Sequence, residues 1–358
     1  MLKKIDALTI NAIMFLKDKK RALEIPSTHN KSMAIQNLAD EDSLPDERRI
    51  FAARLSPHLK NLTKNCPAIA RQFIPSSKEQ YNADDCSFID PLLEEAYTVT
   101  RGLVHKYGNR ALLLLTMNCA AYCRFCTRRR KVSDIKKGLL TDNDIKNIVI
   151  YLKKHPLIKE IIVSGGDPLT VPTILKKILS QLTKLPQIKI IRIGTRIHVA
   201  EPSLVNENLL KILRLVKKQP LYLMVHFEHP SEITQATLKA IQKLRSCSTM
   251  LFSQSIFLKG VNDSFQVLYD LFSRLIEIGV KPYYIYHCDP VKGAEHFISD
   301  VKKEVEIMTK LRKKLSGLAY PTYVIDAPNG AGKIPVPLEF WKCDLTNYTD
   351  FDDKKLNA

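Results

Sequence analysis

The sequence predicts an α/β protein built on a partial (β/α)6 barrel, preceded by a mainly helical region. Three observations carry this. Apolar runs of strand length recur at 111–116, 160–164, 188–193, 221–225, 250–254 and 283–286. Between them lie stretches of helical periodicity at 142–154, 171–183, 209–217, 231–245 and 264–278, the first behind a Thr141 cap. Polar residues cluster just after each run, where barrel enzymes carry their sites at the carboxyl ends of the strands.

Each element follows from its residues. Strands alternating with helices at this spacing pair in parallel through right-handed crossovers. The runs are continuously apolar, which predicts strands buried on both faces. Residues 1–105 are mostly polar with short apolar patches and several Pro and Ser positions, and read as an accessory region of helices joined by loops. The barrel is expected over 106–337 and a tail over 338–358. At 358 residues the chain is one large domain or two.

Composition narrows the function classes. The formal charge is +18, from 55 Lys and Arg against 37 Asp and Glu. Such a balance fits a nucleic-acid or membrane surface. Here the lysines are scattered along helical faces with no aromatic-studded basic stretch, so a solvated surface is the expectation. The apolar run at 7–16 is flanked by lysines, interrupted by Asn11 and too short to span a bilayer. It reads as an N-terminal helix, and the protein as cytoplasmic with no membrane partner. Eight cysteines without a secretory leader argue against a disulfide framework.

Cys119, Cys123 and Cys126 stand with three and two residues between them, directly after the first apolar run. Three thiolates on a loop after a buried strand make an iron–sulfur nest that is one ligand short of a closed four-iron cluster. The missing ligand leaves one iron open for chemistry. A zinc site would require a fourth Cys or His at ligand spacing, and neither His105 nor His155 stands there. Cys66, Cys86, Cys247, Cys288 and Cys343 are expected to behave as small apolar residues. Ser164-Gly165-Gly166-Asp167 ends the second run, and adjacent glycines allow a ligand close to the backbone. Gly194-Thr195-Arg196 ends the third, His226 to His229 follow the fourth, Gln254 ends the fifth and Asp289 follows the sixth.

The strings CAAYCRFCTRRR, SGGDPL, IRIGTR, HFEHPSEIT, SQSIFLKGVND, KPYYIYHCD and DAPNGAGK, spread over residues 98–337, resemble the lysine 2,3-aminomutase family of the radical S-adenosylmethionine superfamily. The resemblance implies a radical SAM barrel and three cofactors: a [4Fe-4S] cluster on Cys119, Cys123 and Cys126, S-adenosylmethionine and pyridoxal 5′-phosphate. It implies contacts to S-adenosylmethionine from Ser164, Gly165, Gly166, Asp167, His229 and Gln254. Lys333 matches the lysine that carries pyridoxal phosphate, the usual anchor for that aldehyde. Arg110 and Lys106 match the residues that grip its phosphate; Lys106 stands where arginine is common and replaces a fork with a point charge. Asn329 and Ala331 stand where the family usually has glycine.

For the substrate, the resemblance makes Arg128 the carboxylate anchor, with Asp289 and Asp326 clasping the ε-ammonium of L-lysine. Two carboxylates around one ammonium balance charge in a desolvated pocket. The implied reaction is the interconversion of L-lysine and β-lysine, with a reducing electron donor and a homo-oligomeric protein. The length resembles smaller relatives that supply β-lysine for elongation factor P, whereas Thr127-Arg128-Arg129-Arg130 and Asp326 resemble the free-lysine enzyme. A radical RNA-modifying enzyme, or a non-catalytic iron–sulfur carrier, are the other classes the residues allow.

Overall fold

One sheet organises residues 98–335, its strands hydrogen-bonded in unbroken chain order from β1 to β10. The strands are β1 (Thr98–Thr100), β2 (Leu103–Tyr107), β3 (Arg110–Thr116), β4 (Glu160–Gly165), β5 (Ile190–Thr195), β6 (Leu221–His226), β7 (Met250–Ile256), β8 (Val280–Tyr286), β9 (Thr322–Ala327) and β10 (Gly332–Pro335). The structure is a computed structural model that describes residues 51–79, 88–132, 138–327, 332–338, 348–349 and 355–356. The expected helix at 7–16 and Cys86, Cys343, Asn329 and Ala331 lie outside these residues. So do all residues before 51 and most of the tail at 338–358.

From β3 to β9 every pairing is parallel. β1 with β2, β2 with β3, and β9 with β10 are antiparallel. The two ends of the sheet approach each other. A Cβ built on Gly332 of β10 would stand 3.7 Å from the Tyr107 hydroxyl at the end of β2. The sheet therefore curls into a barrel wall whose two edges come close, the expected α/β architecture with one more parallel strand than the apolar runs predict.

The crossovers are helices with one apolar stripe. In Asp142–Lys154, Ile145, Ile148 and Leu152 are buried; in Pro172–Leu182, Leu175, Ile178, Leu179 and Leu182; in Phe265–Glu277, Leu268, Leu271, Phe272 and Leu275. Each such side chain contributes roughly 1.5–3 kcal/mol when removed from water. The first helix starts as expected: the Thr141 side chain accepts from Asp144 N while Asp144 reaches back to Thr141 N, a complete capping box. Among the described residues no helix is long and apolar enough to cross a membrane.

Two expectations change. Burial on both faces holds over Leu113–Thr116 of β3 and Leu223–Val225 of β6, whereas β4 and β5 alternate between half-exposed and buried positions. Ile161, Val163, Ile191 and Ile193 face the helices, while Ser164, Arg192 and Gly194 face the half-open barrel interior. The boundary expected at 105 falls inside β2, because Thr98–Tyr107 extends the sheet, and the segment 51–73 joins the same compact unit.

The turn after β4 is set by its glycines. Gly165 has φ +131°, and a Cβ there would meet the Thr116 carbonyl oxygen at 2.1 Å; on Gly166 it would meet the Asn118 carbonyl oxygen at 2.2 Å. The glycines accommodate the backbone leading into the cysteine loop. Gly166 N donates to Thr116 O at 2.6 Å and Asp167 N to Asn118 O at 2.8 Å. Because the obstructing atoms are backbone, Gly166→Ala is expected to cost about 1–3 kcal/mol of stability, read as a lower midpoint in urea denaturation with an unchanged slope.

Candidate functional site

The cysteine loop is anchored by the residues between its sulfurs. Ala121, Tyr122, Arg124 and Phe125 are buried, leaving Cys119, Cys123 and Cys126 half-buried. Arg124 is wholly enclosed: its guanidinium donates to Glu79 Oε1 at 2.9 Å, to Ala52 O at 2.8 Å and to Phe51 O at 2.9 Å. With these side chains turned into the body, the loop is held against it and the three cysteines stay half-buried.

These thiols resist ionisation. Burial, then the charges of Asp167 and of its two companions, push Cys119 well above the ordinary thiol value. Burial and Cys123 raise Cys126 to about 11. Burial also raises Cys123, although the Arg196 guanidinium opposes it. Three crowded sulfurs of this kind ionise only if positive charge arrives with them, which is the chemistry of a metal cluster. Among the described residues no three His, Cys, Asp or Glu side chains are arranged to hold a metal ion. A donor set of three thiolates fits an iron–sulfur cluster with one open iron.

The basic run after the cysteines is neutralised from the segment before β1. Arg128 donates to Glu94 through Nε at 2.9 Å and through its terminal nitrogen at 2.6 Å. Arg129 pairs with Glu79 at 2.8 Å, Arg130 lies 2.9 Å from Asp90, and Lys131 lies 3.0 Å from Glu95. Sequence reasoning missed all four acids. The signal was present as Glu79, Asp90, Glu94 and Glu95 in a segment read only as polar cover. Each of these arginines is therefore matched by a carboxylate.

Arg128 was expected to anchor a substrate carboxylate; its forked edge instead holds Glu94. Its other terminal nitrogen donates to Gly165 O at 3.2 Å and to Ser164 Oγ at 3.4 Å, tying the cysteine loop to the turn after β4. Asp167, expected to meet a ligand, turns inward. Its carboxylate accepts from Thr195 Oγ1 at 2.8 Å, from Arg196 N at 2.8 Å and from Leu169 N at 3.0 Å. Burial pushes it up to about 6 despite those donors. The turn therefore has backbone rather than this carboxylate to offer a ligand.

The other end of the site is built by β2, β8, β9 and β10. Lys333 and Asp326 are direct cross-strand partners, and Lys333 Nζ donates to Asp326 Oδ1 at 2.8 Å and Oδ2 at 3.0 Å. The ammonium lies 4.7 Å from the Tyr286 ring centroid, and the Tyr286 hydroxyl accepts from Gln254 Nε2 at 2.7 Å. Asp326 thus meets Lys333 where a substrate ammonium was expected. Asp289 follows β8, and its carbonyl accepts from Val291 N at 2.8 Å. His229 caps its own turn, its Nδ1 accepting from Ser231 N at 3.2 Å. Arg110 lies over the Tyr107 ring at 4.0 Å.

Lys106 lies on β2, the strand beside β3. Burial lowers its ammonium, with the charge of Lys333 adding to the effect and Asp326, Glu94 and Asp90 opposing it. Its ammonium lies 5.8 Å from the Tyr97 ring centroid and 5.5 Å from that of Tyr107. A partly buried ammonium that is incompletely compensated, with Arg110 nearby in sequence, fits a phosphate.

The Glu94–Arg128 pair has a clear pH signature. Burial acts to raise Glu94, but the charge and hydrogen bonds of Arg128, aided by Arg130 and Lys131, hold it below its ordinary value of 4.5. A depressed folded-state value contributes stability that is complete above 4.5 and is lost as pH falls below it. Glu94→Gln is expected to lose about 3 kcal/mol at neutral pH. Urea unfolding at pH 7 and pH 4 should show that deficit shrinking at the lower pH.

Among known families, the Radical SAM superfamily matches residues 113–272. The chain is 38% identical over 312 residues to an L-lysine 2,3-aminomutase of Methanococcus maripaludis, covering 84% of this chain and 71% of that protein. It is 40% identical over 272 residues to an L-lysine 2,3-aminomutase of Fusobacterium nucleatum, covering 76% of this chain and 63% of that protein. A glutamate 2,3-aminomutase of Clostridioides difficile is 35% identical over 303 residues, covering 83% and 70%.

Proposed function

Because the chain belongs to the lysine 2,3-aminomutase family of the radical S-adenosylmethionine superfamily, we propose that it is an isomerase moving the α-amino group of L-lysine to C3 to give β-lysine. Membership of that superfamily implies a [4Fe-4S] cluster and S-adenosylmethionine. Pyridoxal phosphate is part of the proposal. When bound, these groups supply one-electron and radical chemistry at a substrate carbon and an aldehyde for its amine.

The observation that carries the reading is the pairing, on one sheet, of the three-cysteine loop, tied through Arg128 to the turn after β4, with the cross-strand Lys333–Asp326 pair. It supports one site with a thiolate end and an amine end. On this reading Cys119, Cys123 and Cys126 hold the cluster. Ser164, Gly165 and Gly166 offer backbone to S-adenosylmethionine, His229 and Gln254 are its further contacts by resemblance, and Asp167 holds the turn in place. Lys333 carries pyridoxal phosphate, and Lys106 and Arg110 neutralise its phosphate.

Asp326 then has two successive partners. In this structure it grips the Lys333 ammonium; once Lys333 carries the coenzyme, the carboxylate is free to take the ε-ammonium of lysine together with Asp289. That pairing favours lysine over glutamate, whose far carboxylate would meet like charge. Arg128 takes the substrate carboxylate by exchanging its bidentate bond with Glu94 for an equivalent one. The side chains exclude water and hold the substrate carbon near the cluster end, a positioning role. A one-electron donor, association into a homo-oligomer and delivery of β-lysine towards elongation factor P complete the proposal on the resemblance alone.

Anaerobic assay with reconstituted iron and sulfide, S-adenosylmethionine, pyridoxal phosphate, a reductant and L-lysine tests it. β-Lysine should form, with L-glutamate turned over at least 100-fold more slowly; absence of β-lysine refutes the activity. Lys333→Ala should lose the bound pyridoxal absorbance band and all turnover while keeping its iron. Cys123→Ala should lose iron and turnover while keeping the band. Loss of both signals in either variant would contradict the assignment of two separate ends.

A further inference from the structure

Arg196 directly follows β5 in the motif Gly194-Thr195-Arg196. It is enclosed, with 8% of its surface exposed. One terminal nitrogen donates to Cys123 Sγ at 3.0 Å. The other donates to Gln72 Oε1 at 2.5 Å and to Glu232 Oε1 at 3.0 Å. The guanidinium lies 4.8 Å from the Phe73 ring centroid and 5.5 Å from that of Phe125. Its main-chain N–H is held by Asp167 at 2.8 Å.

We propose that Arg196 is a positioning residue that sets the reduction potential of the cluster through its charged hydrogen bond to the Cys123 sulfur, and that Glu232 moderates it. The inference rests on the reading that Cys119, Cys123 and Cys126 hold an iron–sulfur cluster. Reduction adds one electron, delivered by a one-electron reductant, and so one negative charge to a cluster ligated by three thiolates. A guanidinium donating to one of those sulfurs stabilises the more negative, reduced form and raises the potential, since hydrogen bonds to sulfur, net charge and exposure set cluster potentials. A buried carboxylate on the same guanidinium partly cancels that charge and lowers the potential.

The arrangement is over-determined for mere packing. Glu232 is wholly enclosed, accepts from Gln72 Nε2 at 2.9 Å and from Glu228 N at 3.0 Å, and so cannot swing away from Arg196. Asp167 holds the backbone of Arg196, and its own backbone N–H is bonded to Asn118 beside Cys119. The Gly-Gly-Asp turn therefore fixes both the cysteine loop and the cation that faces it. Aromatic rings flank the guanidinium and exclude the water that would screen its charge.

The test is a redox titration, monitored by electron paramagnetic resonance, of anaerobically reconstituted wild type, Arg196→Gln and Glu232→Gln. Arg196→Gln should shift the midpoint downward by more than a tenfold change in the ratio of oxidised to reduced cluster, about 59 mV for a one-electron couple. Glu232→Gln should shift it upward. Opposite shifts support the proposal, because a purely structural role would lower cluster content without ordered displacement of the potential. Midpoints of both variants within that margin of wild type overturn it. Should Arg196→Gln bind no cluster, the Glu232→Gln midpoint decides alone: upward supports, unchanged or downward overturns. Iron and sulfide analysis of the wild type separates the two layers, since a protein that takes up no cluster refutes the underlying reading as well.

Discussion

The position of the cysteine loop depends on two missing methyl groups. At Gly165 and Gly166 the chain brings its own backbone, from Thr116 to Asn118, within a distance no Cβ permits. That approach closes two main-chain hydrogen bonds between neighbouring strand ends. Everything at the thiolate end inherits this seating: the direction of the three sulfurs, the reach of Arg128 to Gly165 O, and the placing of Arg196 through Asp167. A loop of ten or so residues would otherwise have large conformational freedom to lose.

Charge compensation is the second organising constraint. The loop carries Arg124, Arg128, Arg129, Arg130 and Lys131, and each is matched by a carboxylate at 79, 90, 94 or 95. Buried pairs of this kind add little net stability relative to apolar residues, yet losing one partner is expensive. Their value here is geometric. They bind the segment before β1 to the cysteine loop and hold the cations at fixed points around the site. The pairs Arg128 with Glu94 and Lys333 with Asp326 are each held by more than one hydrogen bond.

Much of the fold was legible because the parallel strands have simple signatures. The run at 111–116 and the helix at 142–154 emerged at nearly their observed limits, since both are bounded by clear punctuation: the cysteine loop on one side, Thr141 with its capping box on the other. β1 and β2 were missed because Thr98–Tyr107 mixes polar and apolar residues without a dominant period. β9 and β10 were passed over as well. Their hydrogen-bonded register makes Asp326 and Lys333 cross-strand partners, a relation that separation along the chain does not reveal. The alternation of half-exposed and buried positions in β4 and β5 was obscured because both faces carry apolar residues, one against helices and the other towards the barrel interior.

The sequence by itself determined the chemistry available: three thiols at cluster spacing, a lysine after a small-residue loop, and cations and carboxylates in recurring motifs. Those are properties of residue type and local spacing, which survive in an unfolded chain. Only the tertiary structure decided which charge meets which. It turned Asp167 inward, gave Arg128 to Glu94 and Asp326 to Lys333, and aimed Arg196 at Cys123. These pairings join residues up to 73 positions apart, and their geometry is set by sheet register and by how the helices stack on it. No local pattern carries that information, because electrostatic partners are chosen by distance in space.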